Sequence, residues 1–264
     1  MTTTTSSIME QHCRLIAEHR SWLKHIDPKL LASWEGILKS KPESAVAEAW
    51  VRKLMASYDL NPKPAEKQGK GGLDFICTAC EKGKDIFYVE VANFDAKAIG
   101  KKLGQPEHMD SCTSGPVTSP FPEFLVKRRK KQDQVAKHQI NRPTVLAFTC
   151  FQEVVSNLFF DDHLITELMI PQLNHGKPFF NRTLFFKEGN ERGSYTDACP
   201  DISAVMICAP IWNYSSTQQP VINLVLNPSA AREFDPAWMP KIDCHKLSDT
   251  WRDIDPCQWQ VCKD

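Results

Sequence analysis

Two acidic residues stand where the surrounding sequence asks for burial. Asp74 falls in the run Gly72-Leu73-Asp74-Phe75, and Glu90 is enclosed in Phe-Tyr-Val-Glu-Val, residues 87 to 91. A carboxylate on a strand of this kind is costly unless it is paired, protonated or bound to a cation. Residues 71 to 95 read as two short strands, 73–78 and 85–91, joined by a polar turn. Neighbouring strands lie about 4.8 Å apart, so the two acids can stand side by side across the hairpin. Carboxylates so placed raise each other's pKa unless a cation sits between them. Hard divalent ions, Mg²⁺ above all and Mn²⁺ with it, take oxygen ligands of this type.

The elements around the hairpin supply further chemistry. The segment KPESAVAEAWVRKLMASYDL, which precedes it, has Ala47, Trp50, Val51, Leu54 and Met55 on one helical face and carries Glu43 and Glu48. After the hairpin comes a strongly basic helix, FLVKRRKKQDQVAKHQ, with Lys127, Arg128, Lys130, Lys131 and Gln134. Its five consecutive cations spread over more than one turn and do not all face one partner. As nucleic-acid contacts they would neutralise phosphates and make binding salt-dependent; the other reading is a solvated helix face. TVLAFTC, residues 144–150, is apolar enough to be a strand covered on both faces.

The rest of the chain is read more coarsely. Residues 1–7 are Thr/Ser-rich and expected to fray. Residues 8–40 show helical spacing broken at Asp27-Pro28, with Asp27 as N-cap, and form a helical extension before a domain spanning 41–264. A patternless connector runs from Gly100 to Pro122. A helix is expected over 161–173, a hairpin around 183–187, and strands in ISAVMIC and VINLVLN; the tail beyond Ala231 shows no periodicity. The whole reads as an α/β protein with a mixed central sheet flanked by helices.

Acid-bearing helix, strand with Asp, strand with Glu, then helix with Lys and Gln: this order resembles the PD-(D/E)XK, or restriction-endonuclease-like, superfamily. The residues that carry the resemblance are Gly72-Leu73-Asp74-Phe75, Tyr88-Val89-Glu90-Val91-Ala92, and Lys131-Gln132-Asp133-Gln134 as a Lys-x-x-Gln pattern. The resemblance covers residues 43 to 150 and implies a restriction-endonuclease-like core that hydrolyses DNA phosphodiesters with Mg²⁺ or Mn²⁺. It implies that Asp74 and Glu90 are metal ligands and that Glu48, with Glu43 as second choice, orients a metal-bound water. The family places a Lys two residues after the Glu, and here that residue is Ala92. Lys131 is the candidate to replace it, which makes the catalytic set Glu48, Asp74, Glu90 and Lys131. Lys127, Arg128, Lys130, Lys131 and Gln134 are the expected nucleic-acid contacts. The alternative is a catalytically inactive member of the fold that binds nucleic acid or a protein.

Bulk properties narrow the setting. Lys+Arg and Asp+Glu both number 32, so any basic surface is local rather than global. No apolar run is long enough to span a bilayer, and the N-terminus has no signal-peptide core, so a cytoplasmic protein with no membrane partner is expected. The ten cysteines then read as reduced thiols. Cys77-x-x-Cys80 has no second pair at matching spacing, which leaves a zinc site with Cys244, His245, Cys257 or Cys262 as a lesser reading. DNA is the expected partner, and a homodimer is left open.

Overall fold

The apolar spacing of the first sixty residues produces three helices: α1 (Thr3–Ile26), α2 (Pro28–Ser40) and α3 (Pro42–Ser57). The computed structural model describes residues 3–66, 72–79, 84–102, 120–138, 140–151, 162–170, 173–174, 177–178, 183–188, 195–197, 199–209, 221–240, 242–248, 250 and 260–263. Asp27 ends α1 and starts α2. Its side chain accepts the Lys29 N–H at 2.8 Å, and Pro28 takes the first helical position, where a missing N–H costs nothing. α1 begins at Thr3, within the Thr/Ser-rich start.

α3 is buried on two sides. Ala47, Val51, Leu54 and Met55 join the core beneath the sheet. Ala45, Val46 and Ala49 meet Leu15, Leu23 and Trp34 of the first two helices. The alanines let both neighbours approach closely, and this places α1 and α2 beside the site described below.

The remaining elements are β1 (Leu60–Pro64), β2 (Phe75–Ala79), β3 (Asp85–Phe94), α4 (Ala96–Lys102), α5 (Phe121–Lys137), β4 (Thr144–Cys150) and α6 (Asp162–Met169). Two small pairs follow, β5 (Leu173–Asn174) with β6 (Lys177–Pro178), and β7 (Phe186–Glu188) with β8 (Tyr195–Asp197). β9 (Ala204–Ala209), β10 (Val221–Leu226), β11 (Asp243–Leu247) and β12 (Val261–Lys263) complete the chain.

One eight-stranded sheet has the order β1-β2-β3-β4-β9-β10-β11-β12. The first three strands are an antiparallel meander. β4 then lies parallel to β3, and β9 parallel to β4, while β10 is antiparallel to β9. β11 is parallel to β10 and β12 antiparallel to β11. The sheet is therefore mixed, with helices on its faces, as the sequence suggests. β4 is buried at every residue, which its uninterrupted apolar sequence requires. One face rests on α3. The other is covered by Phe121 and Phe124 of α5 and by Leu164, Ile165, Leu168 and Met169 of α6.

Several elements depart from the sequence reading. β1, for which no strand was expected, contains Pro62 and Pro64; it forms as an edge that pairs, among the described residues, with β2 alone. β2 starts at Phe75, leaving Asp74 just outside it. β3 runs on to Phe94, and α4 follows and reaches only the first residues of what reads as connector, of which 103–119 lie outside the described residues. α6 ends at Met169, and the small hairpin lies at 186–197. The aperiodic tail supplies two strands to the main sheet. Among the described residues no helix is long and apolar enough to cross a membrane.

Asn227 locks the end of β10 to the start of β9. Its Nδ2 donates to the carbonyls of Ile202 at 2.7 Å and Cys199 at 3.1 Å, and its Oδ1 accepts the Ser229 N–H at 3.0 Å. Asn227→Ala removes the Ile202 carbonyl's Asn227 partner, while the Cys199 carbonyl keeps the Ile202 N–H at 3.1 Å, and is expected to cost about 1–3 kcal/mol. The check is urea unfolding: the midpoint falls while the slope is unchanged.

Candidate functional site

The register of β2 against β3 explains how two acids meet. Phe75 pairs with Val89, the last such pair toward the start of β2. One residue earlier, the Asp74 carbonyl accepts the Ala65 N–H at 3.1 Å and so extends the pairing toward β1. Its side chain goes the other way, and Oδ2 accepts the Val91 N–H at 2.6 Å. A carboxylate thus takes the place of a main-chain partner. Beyond this point β3 runs on beside β4, with Val91 against Ala147 and Phe94 against Cys150. β2 and β3 thus part at Asp74, and beside that point lies a pocket of about 210 Å³.

Strand alternation decides which side chains reach it. Phe87, Val89 and Val91 bury under α3, so Glu90 and Ala92 turn to the α5 face. Glu90 has no exposed surface. Lys131 of α5 donates from Nζ to Glu90 Oε1, while Oε2 is buried without a hydrogen-bond partner. Gln134, one turn further along α5, donates to the Gly72 carbonyl at 3.0 Å and ties the helix to the segment before Asp74. Gly72 is needed there: a Cβ would lie 2.7 Å from Glu66 Cα and 3.1 Å from the Ala65 carbonyl oxygen. Glu48 reaches the same pocket from α3, and Glu66 from the segment after β1.

The pocket holds more negative charge than the structure balances. Burial, then the neighbouring Asp74 carboxylate, pushes Glu90 up to about 8 against the opposing pull of Lys131. Burial and then Asp74 hold Glu48 well above the usual carboxylate range. Burial raises Asp74 as well, with Lys131 and the Val91 N–H pulling it back. Burial works against the Lys131 charge, yet Glu90, Asp74 and Glu48 outweigh it and hold the ammonium above the ordinary lysine pKa.

Glu48, Asp74, Glu90, Lys131 and Gln134, all singled out in the sequence, therefore line one pocket. Glu43 does not: its carboxylate accepts the Ala96 N–H at 2.8 Å and so caps α4. Arg128 is a correction to the expected nucleic-acid contacts. It is buried, and its guanidinium donates to Gln132 at 2.8 Å, because it lies on the sheet-facing side of α5. Lys127 sits over the Phe94 ring at 5.1 Å and Lys130 is exposed; with Lys102 and Lys131 they border a second cavity of about 350 Å³. Position 92 is 1% exposed within the apolar cluster under α5, which explains why it is Ala and not Lys. Cys77 is buried in the core with its thiol pKa pushed up, and Cys244 shares that cluster, so neither thiol faces a zinc site. Cys80 and Cys257 lie outside the described residues.

Glu66 and a wall contributed by α1 and α2 were not legible as site components. Glu66 lies in no periodic pattern, and the tryptophans of the wall read as helix core.

Comparison with protein-family models, characterised proteins and solved structures gives no match. Among the described residues, no three His, Cys, Asp or Glu side chains already surround one point as metal ligands. Three observations nevertheless suit a hard divalent cation: the donors are carboxylate oxygens, Glu90 Oε2 lacks a partner, and the acids raise one another's pKa.

These shifts set a pH dependence. The folded chain holds the Glu90 proton more tightly than the unfolded chain does. Stability without divalent ions is therefore highest below the ordinary range near 4.5 and is lost as the pH rises toward about 8. Asp74, Glu48 and Lys131 face the same carboxylate, and both acids shift in the same direction. Glu90→Gln is expected to flatten the fall in melting temperature between pH 5 and pH 8 in EDTA, roughly the window those pKa values define. An unchanged slope would show that Glu90 is not the group responsible.

Proposed function

We propose that this chain is a divergent metal-dependent nuclease of the PD-(D/E)XK kind that hydrolyses DNA phosphodiester bonds. The observation that carries the reading is the convergence of Glu48, Asp74, Glu90 and Lys131 on one pocket from separate elements. The order α3, β1-β2-β3 meander, α5, parallel β4 supports it, because this arrangement brings an acid-bearing helix, a forked pair of acid-bearing strands and a basic helix together.

On this reading Asp74 and Glu90 hold the cation, Mg²⁺ or Mn²⁺. When bound, such an ion polarises a phosphate oxygen and acidifies a coordinated water. Glu48, whose proton affinity burial and then Asp74 raise, faces the same pocket, and as the carboxylate it would orient that water and accept a proton from it. Lys131 presents its ammonium where negative charge develops on the phosphate, the task that Ala92 cannot perform. Lys127 and Lys130 lie on the same helix and meet the flanking phosphates. Gln134 positions the segment carrying Asp74 rather than reaching outward.

Two measurements test this. Mg²⁺ or Mn²⁺ should raise the melting temperature by mass action on the folded state, and Asp74→Ala should remove that rise. In a cleavage assay with Mg²⁺, Glu90→Ala should abolish activity while DNA binding survives. Lys131→Ala should lower cleavage by about 10²–10³, far more than it weakens binding. A wild-type protein that binds DNA and cuts neither single- nor double-stranded substrates would favour the inactive, nucleic-acid-binding alternative. Failure to bind nucleic acid at low salt would remove both readings.

A further inference from the structure

α5 gathers positive charge on one of its faces. Lys127, Lys130 and Lys131 stand at i, i+3 and i+4, so one side of the helix presents three ammonium groups close together. With Lys102 of α4 they border the second cavity, of about 350 Å³, whose apolar lining includes Phe94, Ile99 and Val126. Three contacts fix the shape of this groove. Glu43 and Asp95 hold the start of α4 by accepting the Ala96 and Ala98 N–H groups, at 2.8 and 2.7 Å. At the other end of α4, Lys102 reaches Glu123 of α5 at 2.6 Å and ties the two helices together.

The acids near the groove are already engaged. Glu123 is held by Lys102, Asp95 accepts the Ala98 N–H, and Glu90, which takes the Lys131 ammonium, has no exposed surface. Lys127 is half-buried with its ammonium 5.1 Å from the centre of the Phe94 ring, and among the described residues no carboxylate forms an ion pair with it. Burial, then the neighbouring Lys131 and Lys130 charges, lowers its pKa. Like charges at this helical spacing repel, and a solvated face would spread them into water; here burial and the ring contact hold one of them at the cavity. The result is a positive groove next to an acid pocket, with Lys131 bordering both.

We infer that the α4–α5 groove is a phosphate-binding site, one that takes a phosphate monoester or diester without any divalent ion. Its link to a nucleic-acid strand rests on the nuclease reading above; the anion site rests on the groove itself. A phosphate brings the negative charge that Lys127 has no partner for, and its oxygens accept from several ammonium groups at once. The apolar lining suits the carbon face of a sugar beside that phosphate. The acid pocket cannot hold an anion in the same way, because its carboxylates repel one until a cation covers them. The groove therefore holds the strand before the cation arrives. Because Lys131 borders both cavities, the phosphate seated in the groove neighbours the one presented to the acid pocket, and so it sets where along a strand that pocket acts.

The test uses the full chain in EDTA. Inorganic phosphate is expected to raise the melting temperature above that in chloride of equal ionic strength, and to displace a labelled 5′-phosphorylated single strand followed by fluorescence anisotropy. Lys127→Gln should weaken strand binding about tenfold at low salt and reduce the slope of log affinity against log salt by about 0.7, the share of one phosphate contact on a single strand. Lys24→Gln, which removes an exposed charge on α1, should change neither. Lys130→Gln, at an exposed position, gives the same reading if Lys127→Gln fails to fold. A salt slope unmoved by Lys127→Gln and by Lys130→Gln, or phosphate no more effective than chloride, overturns the inference. A strand that binds far tighter than inorganic phosphate identifies nucleic acid as the source of the phosphate, and equal affinities identify the free anion; either upholds the site. Cleavage assays keep the two ideas separate. Phosphate binding in a protein that cuts no strand upholds the groove and removes the nuclease reading; Mg²⁺-dependent cleavage with a KM unmoved by Lys127→Gln does the reverse.

Discussion

Glu90 has no exposed surface, and the interior around it is a poor solvent for charge. One oxygen is met by the Lys131 ammonium and the other by nothing. From this imbalance the local architecture follows. α5 must lie across the β3 face so that Lys131 can reach, and Gln134 fixes its height by holding Gly72. Asp74 must leave the β2–β3 ladder so that its carboxylate takes the Val91 N–H instead of crowding Glu90 directly. An apolar residue at position 90 would remove every one of these demands, and replacing a buried ion pair with well-packed apolar side chains is often stabilising. That a carboxyl whose pKa burial pushes up to about 8 sits there at all is the strongest physical argument that the pocket serves something other than stability.

The position of the cation is itself a product of packing. A lysine two residues after Glu90 would share its face of β3 and would have to enter the aromatic cluster of Phe94, Phe124 and Phe148. Ala92 fills that space with a methyl group. The amine arrives from the helix opposite, on a side chain long enough to cross from α5 to the strand, its stem shielded and its ammonium at the carboxylate. The same helix turns Arg128 inward and leaves Lys130 outside, so adjacent cations in the sequence have unrelated surroundings.

What the sequence made legible were the features governed by short-range rules. The two acids in apolar runs, the Asp27-Pro28 break, the wholly buried β4 and the basic helix all follow from periodicity, capping and burial over a few residues. The features that escaped are set by distant partners. β1 carries two prolines and no strand pattern, and nothing local reveals that β2 needs an edge partner. β11 and β12 have weak patterns because they lie at the far end of the sheet. Arg128 cannot be told from Lys130 by composition, since only the angle of α5 against the sheet separates them. Glu43 and Glu48 are both good helix formers; the turn of the helix sends one to cap α4 and the other to the pocket.

The distance along the chain between Glu90 and its partner has a kinetic meaning. β2 and β3 form a local hairpin, a structure that closes within microseconds. Lys131 lies 41 residues beyond Glu90, and β4 must arrive parallel to β3 after a crossover, a slow kind of closure. Until that step is complete, the long β3 has a bare edge in an apolar sequence, the kind of edge that joins other chains. During that interval Glu90 is a hydrated charge at its middle and repels such joining, as a gatekeeper residue does. The residue that burdens the finished interior thus also interrupts the apolar run that the unfinished sheet exposes.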